Sequence, residues 1–263
     1  MSATATPPAT APAAGRPSPV VAVLRTEARL LYLREPSVAL SVLLFPTVLL
    51  VILGLVPGFR EASASLGGRR VIDLYVPVAV LLALVMAGLQ AMPPILTGYR
   101  ERGILRRMST TPVRPSALLV SQLVLLGAGA LVSAVLVMAV GRIAFSVDLP
   151  RQPGGYVLAL VLAAASAMSL GLLMSAIARN EKMAQALSAV VLFPSMFTAG
   201  VWLPVQTMPH LLRTIVEYTP LGAASQALDQ AARGGFPGLV HLGVTALWTV
   251  LLTSGAVRFF RWQ

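Results

Sequence analysis

The chain contains no cysteine, which excludes disulfides, thiolate nucleophiles and thiolate metal centres. Histidine is almost as scarce: His210 and His241 stand alone, too far apart for a metal site of recognisable spacing. Lysine occurs once, as Lys182, and Asn180 and Glu181 precede it rather than glycines. The Gly-x-x-x-x-Gly-Lys-Ser/Thr loop that cradles nucleotide phosphates is therefore missing, and the chain does not bind and hydrolyse ATP by that route. Aromatic residues make up only 6% of the sequence and charged residues 11%.

What fills the space is apolar. Of 263 residues, 57% are hydrophobic, and the mean hydropathy is +0.82. A soluble domain of this length needs a far more polar surface. Apolar runs of about 20 residues recur, the length a helix needs to cross a bilayer, so the sequence reads as a polytopic α-helical membrane protein. The net charge of +11 would suggest nucleic acid in a soluble protein. Here the basic residues sit mostly in short loops flanking apolar runs, so they report topology and no nucleic-acid partner is expected.

Residues 1–19 are Ala, Thr, Pro and Ser with one charge, Arg16. They lack the apolar core of a signal peptide and read as a disordered tail. Over 20–36, Leu24, Ala28 and Leu31 fall on one side of a helix and Arg25 and Arg29 on another, the pattern of an amphipathic interfacial helix or of an N-terminal extension of the first span. The remainder, 37–263, forms one membrane domain of six spans: about 38–56, 72–96, 117–140, 156–178, 183–203 and 239–257. Pro93 and Pro94 are expected to bend or end span two. Both termini then lie on one side. That side receives thirteen Lys and Arg and the other seven, which makes the first cytoplasmic, although Arg60, Arg69 and Arg70 on the other side weaken the asymmetry.

Between spans five and six, Met208, Leu211, Leu212, Ile215 and Val216 form an apolar helical stripe, with Thr207 placed to cap and Pro209 suited to the first turn. Thr219 and Pro220 open a second short helix, about 221–233. The two lie on the outer lipid surface or dip back as a re-entrant pair. All nine acids, Glu27, Glu35, Glu61, Asp73, Glu101, Asp148, Glu181, Glu217 and Asp229, fall in loops, interfacial segments or span ends. Proton-coupled carriers and carboxylate enzymes place such groups inside spans, so both classes lose ground and the energy for any transport must enter from outside the membrane part.

The entry point is the stretch TGYRERGILRRMSTTPVRPS, from Thr97 to Ser116, which carries Arg100, Arg102, Arg106, Arg107 and Arg114 against one acid, Glu101. Ile104, Leu105 and Met108 give it a small apolar side, as a partner groove requires, while Arg102, Arg106 and Arg107 project charge. The arginines also suit anionic lipid headgroups.

Three stretches resemble a known family. ERGILRRMSTTPVRPSALLVSQL, AIARNEKMAQALSAVVLFPSMFTAGVWLPVQTMPHLLRTIVEYTPLGAASQAL and LLYLREPSVALSVLLFPTVLL are similar to the cytoplasmic segment after span two, the region from span four through the outer helices, and the interfacial helix with span one of the six-helix permease subunits of ABC-2 type exporters. Within that family the daunorubicin-resistance-like drug permeases of actinobacteria are the nearest in character. The resemblance implies an all-α fold with an N-terminal interfacial helix, a cytoplasmic coupling helix and short outer re-entrant helices, in a bacterial plasma membrane. It implies a separate ATPase partner carrying ATP and Mg, no cofactor on this chain, and a second permease copy, identical or related. Glu101, Arg102, Gly103, Leu105 and Met108 are the expected ATPase contact.

For cargo, candidate polar residues within spans are Thr47, Gln90, Gln122, Gln185, Ser188, Ser195 and Thr198. Most Ser and Thr in such helices bond their own backbone or glue helices together, whereas a mid-span amide such as Gln90 needs a partner. Met86 and Gln90 with Phe193, Met196, Phe197 and Thr198 are expected to line a pathway for amphipathic drugs or lipids, Met and Phe being adaptable surfaces. Met208, Leu211 and Ile215 are expected to form an outer gate. Two other readings stand beside this one. The first is export of a polysaccharide, glycolipid or cell-wall precursor, for which an aromatic-lined channel is little in evidence. The second is a non-transport membrane scaffold.

Overall fold

The computed structural model describes residues 36–63, 66, 68–104 and 115–259. The tail over 1–19, all of the expected interfacial helix except Pro36, and the loop residues 105–114 lie outside these. In chain order the elements are α1 (Pro36–Gly54), a hairpin of β1 (Ala62–Ser63) and β2 (Arg69–Arg70), α2 (Val71–Val85), a π-helical turn (Met86–Ala91), α3 (Met92–Glu101), α4 (Pro115–Phe145), α5 (Pro153–Ile177), α6 (Glu181–Thr198), α7 (His210–Glu217), α8 (Pro220–Ala232) and α9 (Leu239–Phe259). The protein is thus all-α apart from one small antiparallel ladder, Ala62 opposite Arg70 and Ser63 opposite Arg69.

Helix starts follow local chemistry. The Asn180 side chain accepts from Met183 N at 2.7 Å to cap α6, Gln152 accepts from Gly155 N at 2.7 Å before α5, and Thr219 accepts from Gly222 N at 3.1 Å before α8. Each satisfies an amide that has no partner within its own helix. Four helical stretches among the described residues are long and apolar enough to cross a membrane: Val71–Glu101, Leu118–Phe145, Pro153–Ile177 and Leu239–Phe259. At the places of expected spans one and five stand α1, whose apolar part Leu40–Gly54 is shorter, and α6, which opens on Glu181, Lys182 and Gln185.

The prolines of span two do not end it. Pro93 and Pro94 occupy the first turn of α3, where a proline needs no amide hydrogen. The preceding π-turn takes up the change in winding, so α2, the π-turn and α3 run as one rod of 31 residues. Helix therefore extends through Glu101, into what reads as loop.

This rod is the centre of the molecule. Its most apolar stretch is 89% buried, against 28% for α4 and 22% for α9, which leaves those two with wide outward faces. From Leu74 to Pro93 every residue is buried except Gln90. Around the rod pack α1, α4, α5, α6 and α8, with α9 laid along α5 and α8. Lipid tails are as apolar as leucine, so helices in a membrane associate through close van der Waals fit, aided by small residues. The fit is closest where the π-turn meets α5: a Cβ built on Gly171 would collide with the Gly88 carbonyl, and one on Gly88 with the Ala167 carbonyl.

Gly171→Ala is therefore expected to lower stability by about 1–3 kcal/mol, the usual cost of overpacking, seen as a drop in thermal midpoint in detergent. Gly127→Ala, on a residue with open space around it, should leave the midpoint within a degree or two, as expected for a site without a packing clash. Equal midpoints for the two variants would contradict the close crossing.

Candidate coupling face and transport pathway

At the end of α3, three consecutive charged positions grip the neighbouring α5–α6 turn. Arg100 donates to the Ser175 carbonyl at 3.5 Å and to the Ala178 carbonyl, the last acceptors of α5, where a cation is favoured by the helix dipole. Glu101 Oε1 accepts from Glu181 N at 3.2 Å, placing a carboxylate at the amino end of α6, where anions are favoured. Arg102 Nη2 lies 3.8 Å from Glu181 Oε2, an exposed pair worth no more than about 1 kcal/mol. Gly103 closes the helix at φ +66°, a left-handed conformation suited to glycine. Gly98 leaves room for Arg102 and Glu181 to meet across it.

Glu101 and Arg102 remain exposed, and Gly103 and Ile104 partly so. Of the expected ATPase contact, then, Glu101, Arg102 and Gly103 sit together at the tip of the rod, while Leu105 and Met108 lie outside the described residues. The bond of Glu101 to Glu181 N lies within the chain and was not expected from the sequence. The acid-after-arginine pattern around Arg179–Asn180–Glu181 was the available signal.

The expected pathway residues divide. Met86 and Met196 are buried in the main core. Phe197 packs instead against a second cluster of Val205, Met208 and Val216, and the Thr198 hydroxyl donates to the Ser195 carbonyl at 3.2 Å. Gln90 and Phe193 face outward, Phe193 at 63% exposure. Gln122 is buried and donates to the Tyr99 hydroxyl at 3.1 Å, tying α4 to α3. Thr47, Ser188 and Ser195 are buried and Gln185 is exposed. On α6 the residues Gln185, Ala186, Ala189, Val190, Phe193 and Pro194 form one exposed helical stripe.

The gate trio also separates. Met208 is buried beneath α7, whereas Leu211 and Ile215 are 75% and 59% exposed on its outer side. The start of α7 differs from the expected one: Thr207 belongs to a tight turn and donates to the Pro204 carbonyl at 2.8 Å, and Pro209 takes the cap position. A polar chain of Arg213–Glu217 (2.7 Å), Gln226–Glu217 (2.5 Å) and Gln206–Gln226 (3.2 Å) fastens α7 to α8, and Trp248 of α9 donates to the Tyr218 carbonyl at 2.8 Å.

α8 is not a surface helix. Leu221 through Asp229 are buried without a break, wedged against α2, α5 and α9, so of the two helices this one is re-entrant. Its Gly222, Ala223, Ala224, Ser225, Ala227 and Ala231 are the small residues that permit such close insertion. Among the acids expected in loops, interfacial segments and span ends, Asp229 is only 2% exposed. It is held by Arg69 of the hairpin at 3.0 Å and by Arg233 at 2.7 Å. Nearby, Arg70 donates to Asp73 and to the carbonyls of Phe145 and Ser146. The hydrogen bond from Arg70 to Asp73 raises the arginine's pKa. Asp148 is held below its ordinary value chiefly by the hydrogen bond and charge of Arg151. Its pairing is present above the usual carboxylate pKa of about 3.9 and is lost only as pH falls through the lowered value.

A helical bundle with a buried central rod, a re-entrant helix and a charged tip is a multi-pass membrane protein with machinery at both ends. The family model described as ABC-2 type transporter matches residues 20–231, most of the chain, and the protein belongs to the ABC-2 type transporter family. It is a permease component of an ABC transporter, a transport domain and not a catalytic one, and membership implies an ABC ATPase subunit as partner. Comparison with curated proteins finds no match.

The clamp on Asp229 makes a test of the far end. Removing both partners in Arg69→Ala/Arg233→Ala leaves a buried unpaired carboxylate, a loss of about 3–5 kcal/mol, and monodisperse protein should largely vanish from size-exclusion profiles. Adding Asp229→Asn should restore much of it. A triple variant no better than the double would show that the charge is not what the arginines compensate.

Proposed function

We propose that the chain is the membrane subunit of an exporter that moves amphipathic drugs or lipid-like molecules outward across a bacterial plasma membrane. Two permease copies, identical or closely related, work with a separately encoded ATPase that binds ATP and Mg. Both termini and the 97–116 loop face the cytoplasm in this reading, and α7 with α8 faces outside. Glu101, Arg102, Gly103, Leu105 and Met108 receive the ATPase.

The observation that carries this reading is the single rod Val71–Glu101. A displacement applied at Glu101 and Arg102 enters the core of the bundle, because the rod is helical from Val71 to Glu101 and buried on nearly all sides. The π-turn lies within it, and Gln90 is the residue that the turn leaves uncovered. Such turns often mark functional positions in helices. The exposed stripe of α6 around Phe193 offers an adaptable apolar wall, and a cleft between two permease copies is where these surfaces take cargo.

Glu101→Ala is expected to leave the permease in the membrane and bound to its core partners, yet to reduce ATP-dependent drug uptake into inverted vesicles by about tenfold, the factor that goes with 1.4 kcal/mol of lost coupling. Leu105→Asp should do the same. Undiminished uptake by both variants would remove the coupling assignment. Gln90→Leu should instead alter cargo preference, changing the apparent drug affinity by about 5- to 10-fold, the worth of roughly one hydrogen bond, with basal ATP hydrolysis of the assembled complex intact. An unchanged drug profile would take Gln90 out of the pathway.

A further inference from the structure

At the end of the bundle opposite the charged loop lies a cavity of about 480 Å³. The hairpin and the start of α2 contribute Arg69, Arg70 and Asp73, the α4–α5 loop contributes Ser146, Asp148 and Arg151, and the end of α8 contributes Arg233. Its depth follows from the helices that frame it. α2 begins at Val71, α4 ends at Phe145 and α5 begins at Pro153, so the cavity sits where apolar spans give way to water, the level of lipid headgroups.

The charges do not cancel. Arg69, Arg70, Arg142, Arg151 and Arg233 meet Asp73, Asp148 and Asp229, five cations for three carboxylates, a surplus of two. Arg70 is a strut, since its guanidinium bonds Asp73 and two loop carbonyls together and so fixes the left-handed Ser146 at φ +52°. The others are held more lightly. Arg69, Arg151 and Arg233 each engage a carboxylate through one terminal nitrogen, which leaves most of each five-donor fork unused among the described residues. The wall is also braced from behind, with Arg151 N donating to the Ala232 carbonyl at 3.3 Å and Gln152 N to the Ala231 carbonyl at 3.2 Å. The backbone wall that carries Arg151 and Arg233 is therefore held in place before any ligand arrives, which lowers part of the ordering cost of binding.

We propose that this cavity is a binding site for a phosphate-bearing anion at headgroup depth, with Arg69, Arg151 and Arg233 as its donors. A tetrahedral phosphate offers acceptors in several directions at once, which suits guanidinium forks reaching in from three separate segments better than a planar carboxylate does. The site does not depend on the transport reading above. It requires only the fold.

The test uses the purified full-length protein, delipidated in detergent, with phosphatidylglycerol added and retention read by native mass spectrometry. Arg151→Gln removes one fork at an exposed position, and Ser146→Asp places a negative charge in the wall while leaving every arginine in place. Each should cut retention by about tenfold, the factor one charge-assisted hydrogen bond is worth. Arg258→Gln, which removes the same charge at the far end of α9, should leave retention at the parent level, and all variants are compared at equal monodispersity. Parallel thermal-shift titrations with glycerol phosphate and inorganic phosphate separate the sources. A parent midpoint that rises with either, and fails to rise in Arg151→Gln, identifies a soluble phosphate as sufficient; retention of phosphatidylglycerol without such a rise identifies the lipid. Equal retention by the parent, Arg151→Gln and Ser146→Asp, or an equal loss in Arg258→Gln, overturns the site.

Discussion

Where the π-turn crosses α5, two backbones touch with no side chain between them. Gly88 and Gly171 make this possible, and the rest of the arrangement is built outward from it. α5 is fixed by that crossing, α8 and α9 pack on α5, and α6 starts from the turn that follows it. In water such a contact would be reinforced by the removal of apolar surface from solvent. In lipid that drive is absent, and proximity itself supplies the attraction through dispersion. A bundle assembled on this principle has little tolerance for added volume at the crossing and a good deal along α4 and α9, whose outward faces meet no described helix.

The crossing also explains why both ends of the rod carry ion pairs while its middle carries none. Between Leu74 and Pro93 the side chains are apolar or small except for Gln90, and orientation there is set by shape. At the ends, water is near and charge is affordable. Arg100, Glu101 and Arg102 orient the rod against the α5–α6 turn, and Arg70 with Asp73 orients it against the α4–α5 loop. The rod is therefore indexed at both ends to the loops that flank α5, so rotation of one about the other must break polar contacts at two places.

Much of this was legible from the residues. The apolar runs placed the long helices to within about five positions at their ends, because a bilayer sets a minimum apolar length for each, and the motif-bearing stretches pointed to the family that the match over 20–231 establishes. What could not be read was the outcome of competition between local rules and packing. Pro93 and Pro94 break a helix interior, yet they start α3 once a π-turn precedes them. Asp229 reads as an interfacial acid because nothing within its own segment says that Arg69 will be its partner. Leu211 and Ile215 share an apolar stripe with Met208, but only the Met208 side packs inward, with Val205, Val216 and Phe197. Of the seven basic residues on the sparser side of the orientation count, five, Arg69, Arg70, Arg142, Arg151 and Arg233, gather around the same three aspartates.

The bridge between Arg69 and Asp229 joins positions 160 residues apart. A ribosome delivers the arginine just before α2 and the aspartate only with α8, after α1 to α7 have been made. Until then the first hairpin has its cation and not its counter-ion, and the cavity floor does not exist. Threading α8 into the bundle is thus a late act of biogenesis that closes contacts opened near the beginning, and long-range closures of this kind are slow. The bridge records that the final shape of this protein is reached only when its last third has entered the membrane.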